Sequence, residues 1–224
     1  MALIDQFVSS QLYVITCPPA AGPQGYSSMV EAACAGGADV VQFRDKTLSW
    51  KARYEVCSEL RKICRKHNVL FIVNDAVDLA LAVQADGVHL GQDDLPQDVA
   101  EQLVQRAGVK DFLIGRSTHS LEQAKQAERE GADYIGIGPV FSTPTKPTYI
   151  PVGLQLVKEV TSQVKTPHVA IGGIDRDNVE QVLAAGAQRV AVVRAVCGAS
   201  DVEKAAKQMR EAVTSAIAKR MITR

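Results

Sequence analysis

The sequence predicts an α/β fold, a single (β/α)8 TIM barrel, on three observations. Eight short β-branched apolar runs alternate with eight longer amphipathic stretches across 224 residues, which is the pattern of repeated strand–helix units. The apolar runs are continuous, as in parallel strands that are covered on both faces. Glycine follows several helical stretches and supplies the left-handed turn back to a strand. We therefore expect one domain over residues 1–224, slightly compact for a closed barrel of eight units.

The strand and helix candidates follow one another in regular order. The strand candidates, each containing Val, Ile, Phe or Tyr, are Leu12–Thr16, Asp39–Phe43, Leu70–Val73, Gly87–Leu90, Phe112–Gly115, Tyr134–Ile137, Pro167–Ile171 and Arg189–Val193. The helix candidates are Ser27–Ala35, Trp50–His67, Val77–Val83, Gln97–Arg106, Leu121–Glu130, Gly153–Ser162, Asp177–Ala184 and Val202–Ala218. Good helix formers dominate Leu121–Glu130, and Ser120 can cap it. A doubly wound open sheet is the alternative, but the dinucleotide-binding GxGxxG motif is absent after the first strand.

Glycine marks the expected turns from helix to strand. Gly37, Gly131 and Gly186 follow three of the helix candidates, where a left-handed residue can end a helix. Gly87 is expected to serve the same purpose after Gln84, although it stands later in its segment.

Composition argues against several classes of function. Hydrophobic residues make up 46% and charged residues 22%, which is ordinary for a globular protein. Twenty-five basic residues balance twenty-five acidic ones, so no overall charge directs the chain to nucleic acid or to a membrane surface. Aromatic residues are only 5%, which argues against stacking platforms for single strands. No segment reaches the roughly 18 apolar residues of a membrane span. We expect small-molecule partners, no nucleic acid and no membrane, and an oligomer is possible.

The cysteines predict a reducing compartment. They are odd in number and scattered, at Cys17, Cys34, Cys57, Cys64 and Cys197. No pair has the CxxC spacing of a zinc site or redox motif, and free thiols fit a cytoplasmic protein. The amino-terminal residues carry neither the basic region nor the apolar run of a secretory signal.

The most informative segment is the proline-rich loop Gly138–Pro147. It follows the sixth strand candidate, and its sequence places hydroxyl groups and one lysine among three prolines after Gly138. Hydroxyls, backbone amides and an ammonium group are the donors that a phosphate or diphosphate needs, and prolines stiffen the loop. The candidate binding residues here are Thr143, Pro144, Thr145 and Lys146. A plain surface turn is the alternative.

Polar residues stand at nearly every carboxyl end of a predicted strand, where the chemistry of a parallel barrel gathers. Asp75 and Asp94 follow neighbouring strands. Two adjacent carboxylates repel each other unless a divalent cation or a shared proton holds them, so with phosphate nearby we expect Mg²⁺ there. Helix caps, or an Asx-turn before Pro96, are the alternatives. Arg44 and Lys46 follow the second strand as candidate anion ligands, with a solvated ion pair as the alternative.

Two glycines and a histidine complete the candidate site. Gly172-Gly173 follows strand seven and Val193-Arg194 follows strand eight, which are the places where such barrels characteristically bind phosphate. A plain strand-to-helix turn is the alternative for the glycines. His119 is either a general acid or base or a structural residue beside the following helix. His89 lies within an apolar strand and is interpreted as a barrel-interior residue.

These segments resemble the thiamine phosphate synthase family of (β/α)8 enzymes. The resemblance runs from Leu12–Thr16 to Val192–Ala195, and it depends most on Gln42–Lys46, Asn74–Asp75, Asp86–Asp94 and Thr143–Lys146. It implies an enzyme that joins hydroxymethylpyrimidine diphosphate to thiazole phosphate in the presence of Mg²⁺. The products would be thiamine phosphate and pyrophosphate, formed by loss of pyrophosphate and capture by the thiazole nitrogen.

The resemblance also implies roles for the candidate residues. Those that would bind substrates are Gln42, Phe43, Arg44, Asp45, Lys46, Asn74, Ser117, Thr143, Pro144, Thr145, Lys146, Gly173, Val193 and Arg194. Those that would also be catalytic, by acting on the leaving diphosphate, are Arg44, Lys46, Lys146 and Ser117. Asp75 and Asp94 would hold the Mg²⁺.

Three other interpretations stay open, and three residues depart from the family pattern. The sister family of thiazole tautomerases uses a histidine in a Ser-x-His-Ser segment that His119 fits, although the Thr-Pro-Thr-Lys loop and paired carboxylates favour the synthase. Schiff-base chemistry at Lys146 is disfavoured by the exposed loop, which should keep its pKa normal. A non-catalytic phosphate sensor would leave the paired carboxylates unexplained. Cys17 stands where members commonly carry Asp, Ala76 where many carry a polar residue, and Arg194 where Ser is frequent.

Overall fold

The computed structural model of this chain describes residues 1–143 and 150–222, and its eight strands close into one parallel barrel. The strands are β1 Leu12–Ile15, β2 Val40–Phe43, β3 Leu70–Asn74, β4 Gly87–Leu90, β5 Leu113–Thr118, β6 Tyr134–Ile137, β7 His168–Ile171 and β8 Val190–Val192. Each strand pairs with the next along the chain, and β1 pairs with β8, where Leu12 stands beside Val190. The predicted (β/α)8 TIM barrel is confirmed.

Ten helices accompany the strands in the described ranges. They are α1 Leu3–Ser9, α2 Gly25–Ala35, α3 Trp50–Lys66, α4 Val77–Ala82, α5 Gln97–Arg106, α6 Leu121–Arg129, α7 Gly153–Gln163, α8 Val179–Ala184, α9 Arg194–Cys197 and α10 Val202–Ile222. All eight predicted helices are present, with ends that differ by a few residues, whereas α1 and α9 are additional. Among the described residues no helix is both long and apolar enough to cross a membrane.

Strand β5 is longer than the sequence analysis predicts. The apolar run ends at Gly115, but the strand continues to Thr118. The buried hydroxyl of Thr118 donates to the Gly136 carbonyl at 2.9 Å, so this polar residue is satisfied within the sheet. Ser117 is consequently held by a strand and not by a loop.

Glycine ends helices at most of the predicted turns, but not before β4. Gly131 and Gly186 have φ values of 84° and 115°, as expected for left-handed turns. Before β4 it is Gln84 that takes a positive φ of 55°. Gly87 instead lies inside the strand, where a Cβ would stand 2.3 Å from the Leu113 carbonyl oxygen. Close approach of neighbouring strands is therefore the reason for that glycine.

The apolar core has two layers, one inside the barrel and one between the strands and the helices. The inner layer consists of Phe7, Tyr13, Ile15, Val40, Leu70, Ile72, Leu113, Tyr134, Val169 and Ala191. Strands such as β1, β2 and β6 are buried along their whole length. This burial on both faces explains why the strand sequences are continuously apolar.

Helix α1 closes the amino end of the barrel. The ring of Phe7 is fully buried, with its centroid 4.2 Å from that of Tyr134. Arg189 donates to the Phe7 carbonyl at 2.8 Å and to the carbonyls of Val8 and His168. This end is filled by side chains, which leaves the carboxyl ends of the strands for a ligand.

Candidate active site

A cavity of about 420 Å³ opens at the carboxyl ends of the strands. The predicted site residues that line it are Gln42, Arg44, Asn74, Ser117, Thr143, Gly173, Val193 and Arg194. Pro144, Thr145 and Lys146 lie outside the described residues. A cavity of this size and position suits a small-molecule ligand.

The end of β2 directs alternate side chains to opposite sides. Gln42 and Arg44 line the cavity. Phe43 is buried, and its ring meets that of Tyr26 in α2 edge to face, with centroids 5.2 Å apart. This is the two-residue period of a strand. Phe43, which the resemblance assigned to substrate, packs against the helix layer.

Asp45 holds its own loop and does not line the cavity. Its Oδ2 accepts a hydrogen bond from the Tyr26 hydroxyl at 2.6 Å. Its Oδ1 accepts from the amides of Thr47 and Leu48, at 2.6 and 3.0 Å. Burial opposes ionisation, but these hydrogen bonds, with that of Tyr26 first, lower the pKa of Asp45 to about 2. The anion therefore fixes the turn that carries the two predicted cations.

The carboxyl groups of Asp75 and Asp94 lie beside each other, next to Lys46. Lys46 Nζ is 3.1 Å from Asp75 Oδ2. Burial, followed by the neighbouring Asp94 carboxyl, raises the pKa of Asp75 above its ordinary value, while Lys46 acts against the shift. Asp94 Oδ2 also accepts from the Gly91 amide at 2.6 Å, so Asp94 holds a local turn as well. Asp75 does not cap α4, which begins after Ala76 without a side-chain cap.

The carboxylate oxygens of Asp75 and Asp94 are of the kind that binds Mg²⁺. Two adjacent carboxylates repel each other, and a bound cation relieves that repulsion. Mg²⁺ is commonly held by one or two carboxylates together with water and phosphate oxygens. Within residues 1–143 and 150–222, no group of three or more His, Cys, Asp or Glu side chains could surround a metal ion. A metal bound by Asp75 and Asp94 would thus need further ligands from solvent or substrate.

The backbone after β7 comes very close to the connection after β6. Gly172 and Gly173 have φ values of 105° and 61°. A Cβ on Gly172 would stand 2.4 Å from Pro139 Cα, and one on Gly173 would stand 2.6 Å from the Ser142 carbonyl oxygen. Both positions therefore require glycine for conformation and for space, which a plain turn does not explain.

The wall beside these glycines is formed after β8. Val193 and Arg194 line the cavity, and the short helix α9 begins at Arg194. The ends of β7 and β8 with a short extra helix are where (β/α)8 barrels characteristically bind phosphate. The backbone here is consequently suited to a phosphate group.

His119 lines the cavity and makes structural contacts. Its Nδ1 is within hydrogen-bond distance of the Gly138 carbonyl oxygen, and its backbone amide donates to Gln123 Oε1 at 2.7 Å. The cap of α6 is Ser120, whose Oγ accepts from the Gln123 amide at 3.1 Å, as predicted. His119 thus stands between the cavity and the connection after β6.

Two tyrosines at the floor of the cavity were not among the predicted site residues. Tyr13 Oη lies 2.8 Å from Gln42 Nε2 and 3.1 Å from Tyr134 Oη. His89, correctly expected inside the barrel, contacts Tyr134 Oη at 3.2 Å and Ser117 Oγ at 2.9 Å. Both tyrosines sit in strands whose two faces are apolar, so only the closed barrel shows which side chains point inward.

Comparison with known proteins shows extended similarity to one family. The family described as thiamine monophosphate synthase matches residues 12–196. The thiamine-phosphate synthase of Chloroflexus aurantiacus is 46% identical over 94% of this chain and 96% of its own length. That of Prochlorococcus marinus (strain MIT 9303) is 50% identical over 82% of this chain and 51% of its own. The solved thiamine phosphate pyrophosphorylase from Pyrococcus furiosus is 40% identical, with a TM-score of 0.83, and covers 96% of this chain and 99% of that chain.

Some of these relatives are considerably longer than the present chain. It spans 57% of the thiamine-phosphate synthase of Thermosynechococcus vestitus and 51% of that of P. marinus, about half the length of these curated relatives. The similarity nevertheless covers the whole barrel and both halves of the cavity. The chain belongs to the thiamine monophosphate synthase family.

Proposed function

We propose that the chain is a thiamine phosphate synthase. It would join 4-amino-2-methyl-5-hydroxymethylpyrimidine diphosphate to thiazole phosphate and release pyrophosphate. The observation that carries this proposal is the grouping of Lys46 with Asp75 and Asp94 beside a cavity that Arg44 and Arg194 line. A diphosphate and a separate monophosphate need charge-assisted donors at two places.

The pyrimidine diphosphate would lie on the side of β2, β3 and β5. Gln42 at the floor would contact the pyrimidine ring. The side chains proposed for the diphosphate are Arg44, Lys46, Asn74, Ser117 and Lys146. Asp75 and Asp94 would hold Mg²⁺ against its oxygens, as their donor set favours.

The thiazole phosphate would lie on the side of β7 and β8. Gly173 and the backbone of Val193 and Arg194 would bind its phosphate, in the place where the fold characteristically does so. Thr143 and Thr145 would stand between the leaving diphosphate and the thiazole. The relatives named above are synthases and do not favour a thiazole tautomerase.

The proposed reaction is a dissociative substitution. The bond between the exocyclic CH₂ and the diphosphate oxygen breaks, and its electron pair leaves with the diphosphate while the 4-aminopyrimidine donates electron density to the carbon. The thiazole nitrogen lone pair then forms the new C–N bond, so no protein nucleophile is required. Arg44 and Lys46 stabilise the charge on the leaving oxygens. Mg²⁺, when bound, supplies further stabilisation of that charge.

We also propose a cytoplasmic location and small-molecule partners. All five cysteines are free, which fits a reducing compartment. Equal numbers of acidic and basic residues give no general attraction for nucleic acid.

A coupled assay with the two substrates, with Mg²⁺ or with EDTA, tests this function. We expect thiamine phosphate and pyrophosphate to form only with Mg²⁺. Asp94→Ala and Lys146→Ala should each lower the rate by at least about 100-fold, while thermal unfolding of both variants stays cooperative. Lys158→Ala, at an exposed position in α7, is the control and should keep full activity. No product from folded wild-type protein would overturn the function, and full activity in both site variants would overturn the site.

A further inference from the structure

A continuous chain of polar contacts crosses the floor of the cavity. Gln42 Nε2 donates to Tyr13 Oη at 2.8 Å, and Tyr13 Oη is 3.1 Å from Tyr134 Oη. Tyr134 Oη is 3.2 Å from His89 Nδ1, and His89 Nε2 is 2.9 Å from Ser117 Oγ. We call this series the floor relay. It links the proposed pyrimidine contact to a proposed diphosphate contact, and the roles assigned above leave its three middle members unused.

The hydrogen bonds of the floor relay can run in only one direction if the Gln42 amide nitrogen donates and every hydroxyl proton has an acceptor. Tyr13 accepts from that amide, and within the described ranges its other hydroxyl contact is Tyr134. The proton of Tyr13 must therefore point to Tyr134, and the proton of Tyr134 to His89 Nδ1. Among the described residues, reversing the contact between Tyr134 and His89 would leave the buried hydroxyl proton of Tyr134 without an acceptor, which is costly.

This direction determines the tautomer of His89. With Nδ1 accepting from Tyr134, the neutral ring carries its proton on Nε2 and donates it to Ser117 Oγ. Ser117 can then donate a hydrogen bond from its hydroxyl into the cavity that it lines. An anionic oxygen needs a donor at that place, so the proposed diphosphate favours the same direction independently of the amide.

The surrounding structure is shaped around the floor relay. Tyr13 and Tyr134 are 2% and 0% exposed, and burial raises the pKa of both phenols, so each keeps its proton. A Cβ on Gly115 would stand 2.2 Å from Tyr134 Cζ. A Cβ on Gly136 would stand 3.3 Å from His89 Cε1. The strands therefore carry glycine where the two rings need room.

We propose that Tyr13 and Tyr134 are positioning residues that make Gln42 present an acceptor, and Ser117 a donor, to opposite ends of one ligand. The two tyrosines need not touch the ligand, because they act through the residues at the ends of the floor relay. The pattern fits a ring that bears an N–H donor joined to an anionic group. This inference rests on the proposed function for the identity of the ligand, and on the hydrogen bonds alone for the relay.

The first test is the tautomer of His89 in the folded protein. In ¹⁵N-histidine-labelled protein near neutral pH, we expect the His89 ring to carry its proton on Nε2. Tyr134→Phe removes one hydroxyl and should shift His89 toward a tautomer mixture. The control is Tyr54→Phe, at a half-exposed tyrosine on α3, which should leave the His89 signals unchanged. A wild-type ring protonated on Nδ1 would overturn the proposal.

The second test is the affinity for inorganic pyrophosphate, measured by calorimetry with Mg²⁺. Tyr134→Phe and Ser117→Ala should each weaken binding by roughly threefold to tenfold. Because Tyr134 is proposed to act through Ser117, the double variant should be no weaker than Ser117→Ala alone. Additive losses would show that Tyr134 acts elsewhere and would overturn the relay.

Both readouts are independent of turnover. Failure of the coupling assay with an intact His89 tautomer would count against the proposed reaction and leave the relay standing. If Tyr134→Phe does not fold, Tyr13→Phe interrupts the same chain and takes its place. In either case, the tautomer of His89 in the wild-type protein shows the direction of the hydrogen bonds in the floor relay.

Discussion

Two aspartates close to the cavity differ in ionisation because their neighbours differ. Asp45 is surrounded by donors, which lower its pKa to about 2. Asp75 is partly buried beside another carboxyl, and both effects raise its pKa. Their contributions to stability should therefore depend on pH in opposite directions.

Replacing Asp45 by Asn should loosen the turn after β2. The carboxylate accepts four hydrogen bonds, so at neutral pH we expect the free energy of unfolding to fall by about 1–3 kcal/mol. The folded pKa is depressed, so this stability is present above the ordinary value of 3.8 and is lost as pH falls through about 2. Urea unfolding at several pH values measures the difference between wild type and variant.

The control for this change is Tyr26→Phe, which removes one of the four hydrogen bonds and should cost less. A difference between wild type and Asp45→Asn that stayed constant as the pH fell below about 4 would show that the carboxylate is not held as described.

Asp75 should destabilise the metal-free fold as pH rises. Its folded pKa is raised above 3.8, so the native state binds more protons than the unfolded state, and stability falls as pH increases from about 4 through the raised pKa. Asp75→Asn should remove this decline when unfolding is measured in EDTA. Asp5→Asn, at an exposed position, should leave the decline in place. Identical pH slopes in wild type and Asp75→Asn would contradict the assignment.

Among the elements, the connections after β6 and β7 depend on each other through glycine. Gly172→Ala would bring a Cβ within 2.4 Å of Pro139 Cα, whereas Gly108 has a positive φ of 71° and no atom of the described residues within 4 Å of a Cβ. Gly108→Ala should therefore cost only the backbone strain, about 1–2 kcal/mol. Gly172→Ala should cost at least about 1–3 kcal/mol more, because backbone must move. Thermal unfolding of both variants checks this, and equal losses would contradict the close approach.

The strands were predictable, whereas helices α1 and α9 were not. Continuous apolar runs place all eight strands, because each is buried on both faces. Helix α9 has four residues, too few to show a helical period. Helix α1 precedes the first strand and so lies outside the repeated strand–helix order that predicted the others. The end of β5 was missed because Arg116 and Thr118 are polar, and only the folded barrel shows that the carbonyls of Leu95 and Gly136 accept from them.

The polar half of the candidate site was predictable for a similar reason. Residues just beyond a parallel strand face one end of the barrel, so Arg44, Asn74 and Arg194 could be placed from strand boundaries alone. The inward direction of Tyr13 and the outward direction of Phe43 could not, since both lie in fully apolar surroundings and depend on the register of the closed sheet.

The stability of the whole molecule depends on the contacts by which Arg189 holds α1 at the amino end of the barrel. Arg189 is 3% exposed and donates to three carbonyls there. Burial lowers its pKa to about 10, so it stays charged near neutral pH. Arg189→Met would remove the guanidinium donor from all three carbonyls, although the Phe7 carbonyl also accepts from Ser10. We expect the free energy of unfolding in urea experiments to fall by about 3 kcal/mol.

Arg129→Met is the matched control for Arg189→Met. It removes an exposed ion pair with Glu122, which should cost less than about 1 kcal/mol. Equal effects of the two substitutions would show that Arg189 does not hold α1 in place.

Because Phe7 packs against Tyr134, the barrel is closed at its amino end and open at the carboxyl ends of its strands. In the proposed reaction, both substrates must therefore enter at that open end. The joined product has to leave through the same open end. The direction of entry and release would then be set from the far side of the barrel, by a seven-residue helix at its closed end.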